Sequence, residues 1–176
     1  MYQTVIKNNF FDDPDHIVKN TKKIKWIKSS SQDNWPGYRS ENLYHINRSL
    51  HDFIVQNVIK FYYNNQEVHI GKTQIQFHKI NYVDWIEHDK KNTRIHKDNC
   101  NLSGVIYLNK DTNDFETGTS LYDENKSIFA RVSNQYNTLA LYDGNLYHGA
   151  TGLDKNERLI IVIFLDEIKV IYNGNI

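Results

Sequence analysis

Hydrophobic and polar positions change their period once along this chain. Up to about residue 66 the apolar residues recur at helical spacing, and beyond it they fall into short runs of strand character. Ile17, Val18 and Thr21 follow Pro14, which suits the first turn of a helix with Asp13 as its cap and an end near Lys25. Leu50, Phe53, Ile54, Val58 and Phe61 stand three and four apart, which predicts a second helix starting at Ser40 or Leu50 and running to Tyr63. A short strand over residues 2–6 precedes the first helix, and the composition of residues 29–37 reads as loop.

From Val68 onward the pattern is extended. Segments at 73–82, 94–98, 102–108, 119–122, 127–132, 138–142, 148–152 and 159–165 are separated by Asn, Asp and Gly. Eight such segments match the strand number of a jelly roll. The last is apolar on both parities, with Ile160, Val162 and Phe164 on one face and Leu159, Ile161 and Ile163 on the other. Both faces therefore need cover, as in a barrel wall packed from outside by the N-terminal helices. The expected architecture is mainly β with N-terminal helices (α+β), a double-stranded β-helix or jelly-roll barrel of cupin-like form. At 176 residues one domain is expected, with 1–66 as helical support and 67–170 as the jelly-roll core.

Charge narrows the partners. Lys plus Arg and Asp plus Glu both number 21, so no long-range field draws the chain to nucleic acid or to an anionic membrane. A single cysteine, Cys100, excludes an internal disulfide and fits a reducing compartment. No apolar run approaches the roughly 20 residues of a membrane span, and the first residues do not follow the basic-then-apolar plan of a secretion signal. A soluble, cytoplasmic protein is expected, of open oligomeric state.

The chemistry concentrates in His96-Lys97-Asp98, Tyr147-His148 and Arg158. His96 and Asp98 are two apart, so in an extended segment both side chains leave one face and can address one ion. His148, fifty residues on, follows the apolar run 138–142 and the turn Asp143-Gly144-Asn145 and supplies a third ligand. Two imidazoles and one carboxylate leave coordination positions open, as in non-haem Fe(II) oxygenases and unlike closed structural zinc sites. Arg158, ten residues after His148, opens the most strand-like run of the chain. A buried cation there needs an anion, and its planar fork suits the carboxylate of a diacid co-substrate.

These residues resemble the Fe(II)/2-oxoglutarate-dependent dioxygenases, which carry HxD, a distal His and an Arg or Lys about ten residues beyond. The order of His96-Lys-Asp98-Asn99, Gly104-Val-Ile-Tyr107-Leu108-Asn109, Gly118-Thr-Ser-Leu-Tyr122 and the Arg158 strand is similar to the prolyl-4-hydroxylase branch over roughly Thr73 to Glu167. The resemblance implies Fe(II) held by His96, Asp98 and His148, 2-oxoglutarate and O2 as co-substrates, and Tyr107 sharing the distal 2-oxoglutarate carboxylate with Arg158. It also implies hydroxylation of a prolyl residue in a peptide or protein. A free amino acid or another small molecule stays open as substrate. One departure is Thr117, which stands before Gly118 where the family often has a second glycine. The nucleic-acid demethylase branch carries a second arginine six residues after the first, a position held here by Phe164.

Other residues admit two readings. Tyr82 and His78 fall on the strand before His96, within reach of the metal-proximal end of the co-substrate or simply packed. Cys100 reads as a small buried hydrophobe rather than a fourth ligand. Trp85 in the segment 83–93 either stacks on substrate or anchors a covering loop, and Trp35 and Tyr38 belong to a second rim loop. His88 reads as a residue of a solvated loop. The competing function is a cupin-like binding module without redox chemistry, which has no use for a dicarboxylate clamp at Arg158.

Overall fold

The computed structural model describes residues 3–30, 32–33, 35–89, 95–110, 117–152 and 157–171. Strand β1 (Thr4–Lys7) leads to helix α1 (Pro14–Asn20), where Asp13 caps the first turn by accepting from the His16 amide at 3.0 Å. A 3-10 turn (Thr21–Lys23) and the two-residue strands β2 (Ile27–Lys28) and β3 (Tyr38–Arg39) follow. The second expected helix is divided into α2 (Leu43–Ile46) and α3 (Arg48–Tyr62). Asn47 divides them: its backbone is non-helical, and its side chain accepts from the Leu50 amide as the cap of α3.

The remaining elements are β4 (Val68–Ile80), α4 (Tyr82–Asp89), β5 (Leu102–Tyr107), β6 (Gly118–Tyr122), β7 (Ile128–Ser133), β8 (Thr138–Asp143), β9 (Tyr147–Thr151) and β10 (Arg158–Val170). Two expectations change here. Tyr82 begins a helix instead of ending a strand, because Asn81 accepts from the Asp84 amide at 2.8 Å and caps α4. Trp85 accordingly lies on that helix rather than in a loop. The strand expected over 94–98 is reduced to an isolated bridge between His96 and His148; residue 94 lies outside the described residues.

All strand pairs are antiparallel. One sheet runs β1-β8-β5-β10-β4-β3-β2 and the other β7-β6-β9, the two-sheet plan of a jelly roll without a continuous closed barrel among the described residues. Strand alternation in β10 sets the layers. Leu159, Ile161, Ile163 and Leu165 join Ile75, Phe77, Ile106, Leu139 and Leu141 in a core shared with Leu43, Leu50, Ile54 and Val58 of the helices. On the opposite face, Ile160 and Val162 pack with Val105, Tyr107 and Ala140, and with Val132 of the small sheet. Both parities of the strand are thus covered, one by helices and the other by a second sheet. Among the described residues no helix is long and apolar enough to cross a membrane.

Candidate metal centre

Backbone hydrogen bonds bring the three candidate ligands together. His96 and His148 exchange amide-to-carbonyl bonds, each 2.9 Å, and the Asp98 amide donates to the Gly144 carbonyl at 2.9 Å. Gly144 belongs to the turn leading into β9, so the segment 96–98 is stitched to the strand that carries His148. One donor atom each from His96, Asp98 and His148 lies within 4.8 Å of the others. His148 Nε2 is 3.0 Å from Asp98 Oδ2, and His96 Nε2 is 3.4 Å from Asp98 Oδ1. Donors at right angles on an ion with bonds of about 2.1 Å stand about 3.0 Å apart, so these separations suit one shared ion.

The hydrogen-bond chemistry carries the argument further. His148 Nδ1 lies 2.9 Å from the Leu146 carbonyl, which only accepts, so the proton sits on Nδ1. The neutral ring then presents a bare lone pair at Nε2 toward a carboxylate oxygen, a repulsive pairing in a site where His148 is 5% exposed. A cation between them, or a proton on the ring, removes the conflict. Burial opposes ionisation of Asp98, but with protons on the facing rings the hydrogen bonds from His148 and His96 and the charge on His148, together with the Ser103 hydroxyl, hold its carboxyl well below the usual range. Ser103 Oγ donates to Asp98 Oδ2 at 2.6 Å and so fixes the carboxylate from behind. Donors and tautomer together fit a divalent ion with open positions.

These residues line a cavity of about 790 Å³ that also takes in Arg158, Thr119, Ala150, Ile160, Val162 and Phe164. Arg158 is 3% exposed. Its Nη1 donates to the Gly118 carbonyl at 3.1 Å, its Nε has no hydrogen-bond partner, and no carboxylate pairs with it among the described residues. Burial lowers its pKa, and the Tyr107 and Tyr142 hydroxyls work the other way. Tyr107 is fully buried, with Arg158 Cζ 5.5 Å from its ring centroid, and its hydroxyl donates to Thr119 Oγ1 at 2.7 Å.

The other residues distinguished by the sequence are scattered. Tyr82 is 44% exposed on α4 and is not among the residues lining the cavity, whereas Trp85 of the same helix is buried against it. His78 lines the cavity, and its Nε2 donates to the Pro36 carbonyl at 2.6 Å. Trp35 lines it as well, while Tyr38 is aligned with Lys28 and Lys79 away from it. Cys100 is buried, lines the same cavity, and has its sulfur 3.2 Å from Ser103 Oγ. The His88 side chain lies outside the described residues. Two contributors escaped the sequence reading. Ser103 sits five residues after Asp98 with no motif to mark it, and Arg39 comes from a two-residue strand just beyond the stretch 29–37 that reads as loop.

The chain is thus a jelly roll in which two histidines and one carboxylate converge on a shared cavity. Solved structures with this fold include a Pseudomonas putida prolyl-4-hydroxylase, at TM-score 0.60 and 12% identity over 94% of this chain and 93% of that one. A prolyl 4-hydroxylase of Phytophthora capsici matches at TM-score 0.57 and 11% identity over 93% of this chain, which spans 58% of the Phytophthora protein. A Trichoplax adhaerens prolyl hydroxylase, in complex with a hypoxia inducible factor oxygen degradation domain peptide, matches at TM-score 0.57 and 12% identity over 93% and 83%. At these identities the likeness is one of fold. No family model and no curated protein matches the sequence.

Proposed function

We propose that the chain is an Fe(II)- and 2-oxoglutarate-dependent oxygenase that hydroxylates an organic substrate, with a prolyl residue of a peptide or protein as the first class to test. The observation that carries this reading is the shared cavity. A carboxylate faced by two imidazoles stands at one place in it, and a buried arginine without an acidic partner among the described residues stands at another. An uncompensated buried guanidinium is costly, and a diacid co-substrate supplies its missing anion.

Iron(II) held by His96, Asp98 and His148 would supply the activation of dioxygen, one oxygen atom passing to 2-oxoglutarate as it becomes succinate and CO2 and the other to the substrate C–H bond. Arg158 binds the far carboxylate of 2-oxoglutarate as a planar fork, and Tyr107, reached through Thr119, supports that end. Ile160, Val162 and Val105 form an apolar wall that keeps water from the reacting centre. Asp98 fills the carboxylate position, so the product expected is an alcohol rather than a halide. The substrate class rests on the fold's neighbours, which are prolyl hydroxylases, one of them bound to a peptide.

Anaerobic titration with Fe(II) and then 2-oxoglutarate tests the assignment. The expected result is a weak visible charge-transfer band that needs both components. Metal binding without any band would favour a binding module with no redox role. A screen of prolyl peptides against free amino acids for a mass gain of one oxygen then fixes the substrate class.

A further inference from the structure

Arg39 is a second cation in the same cavity, and unlike Arg158 it has no hydrogen-bond partner at all among the described residues. Its guanidinium makes no hydrogen bond and no ion pair among the described residues, and its Nε is buried. It is held by rings alone, with Cζ 4.6 Å from the Trp35 centroid and 5.6 Å from that of Phe164. The holder is itself braced. The Trp35 and His78 rings meet nearly perpendicular with centroids 5.7 Å apart, and His78 donates to the Pro36 carbonyl. Gly37 has φ +80°, and a Cβ there would come within 2.3 Å of the Lys79 carbonyl, so only glycine lets this turn lie flat on β4. Pairing of Arg39 with His78 across β3 and β4 fixes the backbone.

A guanidinium stacked between aromatic rings and left without hydrogen-bond acceptors is arranged for a planar anion. Burial lowers its pKa to about 10, against the pull of Asp98 and Asp33, so it stays charged at neutral pH. This cation does not duplicate Arg158. Phe164, beneath Arg39, lies six residues along β10 from Arg158, roughly 20 Å of strand at about 3.3 Å per residue. Phe164 also pairs with Ser103, the residue that braces Asp98, so Arg39 belongs to the metal end of the cavity. A single small diacid cannot occupy both.

We infer that Arg39 is the subsite for a carboxylate carried by the primary substrate, with Trp35 and Phe164 as its aromatic walls. This inference rests on the oxygenase reading and narrows its substrate to an acid, or to a residue with a carboxylate close to the carbon that reacts.

The test uses the full chain loaded with Zn(II) as an inert stand-in and saturated with 2-oxoglutarate, which occupies Arg158. N-acetylproline is compared with N-acetylprolinamide, and a capped prolyl-glutamate amide with its prolyl-glutamine counterpart. Binding is followed by calorimetry and by the Arg39 Nε–H resonance, assigned by its loss in Arg39→Gln. The acid of at least one pair should shift that resonance and bind about tenfold tighter than its amide. The pair that responds identifies a terminal or a side-chain carboxylate as the source. Arg39→Gln should erase the preference, and Arg39→Lys should keep part of it. Equal binding of acid and amide, absence of binding by all four probes, or a preference that survives Arg39→Gln would overturn the assignment. So would a loss of 2-oxoglutarate affinity in Arg39→Gln without any acid preference in the wild type, which would make Arg39 a co-substrate contact. Failure of the wild type to bind 2-oxoglutarate sinks the oxygenase reading instead, and that step is measured first.

Discussion

Ser103 donates its hydroxyl to the Asp98 oxygen that faces His148, at 2.6 Å, so one side chain without metal-binding capacity sets where the carboxylate points. Outer partners of this kind tune metal affinity. Ser103→Ala should lower affinity for a divalent ion by about 10- to 100-fold while leaving the fold unchanged. Competition against a chromogenic chelator measures the first and circular dichroism the second. Unaltered affinity would mean that the bond is a packing detail.

His96, Asp98 and His148 come from two chain segments stitched by backbone bonds, so each can be removed without breaking a sheet. His96→Ala and Asp98→Ala should each abolish 2-oxoglutarate-coupled succinate release at a native unfolding temperature. Succinate release retained by either variant would contradict the ligand assignment.

The layers and the His96–Asp98 step were legible because both have short-range signatures. The double apolar parity of 159–165 announced a strand covered on both sides, and the structure places helices on one face and the small sheet on the other. The two-residue step from His96 to Asp98 survives although the segment is only a bridge, because it is pinned to His148 and Gly144 rather than to a full strand. Capping was harder to read. Asn42, Asn47 and Asn81 each start a helix by accepting from an amide, and in an asparagine-rich chain such caps cannot be told from loop asparagines by composition. Arg39 and Ser103 were invisible because their roles depend on contacts across the sheets, which leave no trace in local pattern.

Arg158 illustrates a conflict between stability and binding. A fully buried guanidinium with an unpartnered Nε is a liability in the ligand-free chain, and a hydrophobe of similar length removes it. Arg158→Met should raise the ligand-free unfolding temperature while costing 2-oxoglutarate affinity on the order of 3–5 kcal/mol. Calorimetric titration and thermal unfolding read the two effects on one sample. A variant that is less stable and binds normally would exclude the clamp.

Gly118 supplies the carbonyl that accepts from Arg158, and it has φ +148° with room for no side chain. A Cβ there would lie 1.9 Å from the Val132 carbonyl, in the pairing of β6 with β7. Gly118→Ala should therefore destabilise the chain by roughly 1–3 kcal/mol, read from urea unfolding. Because the shift displaces the Arg158 acceptor, 2-oxoglutarate affinity should fall in the same variant. Thr117→Gly, at the position where the resembling family often has glycine, should leave that affinity intact.

Asp15 ties the first turn of α1 to the segment after β5 and to the β7–β8 connection by accepting from both Lys110 and Tyr136. These hydrogen bonds, with the Lys110 one dominant, hold its carboxyl below the ordinary value. A depressed carboxyl adds stability that is present above its unfolded pKa of about 3.9 and is lost as the pH falls through the native value. The difference in unfolding midpoint between wild type and Asp15→Asn should thus be constant from pH 7 to about pH 5 and shrink below about pH 4. The pair is exposed, so added salt should shrink the same difference at neutral pH. A gap that widens in acid would show that the asparagine variant acts through packing of α1 and not through the charge.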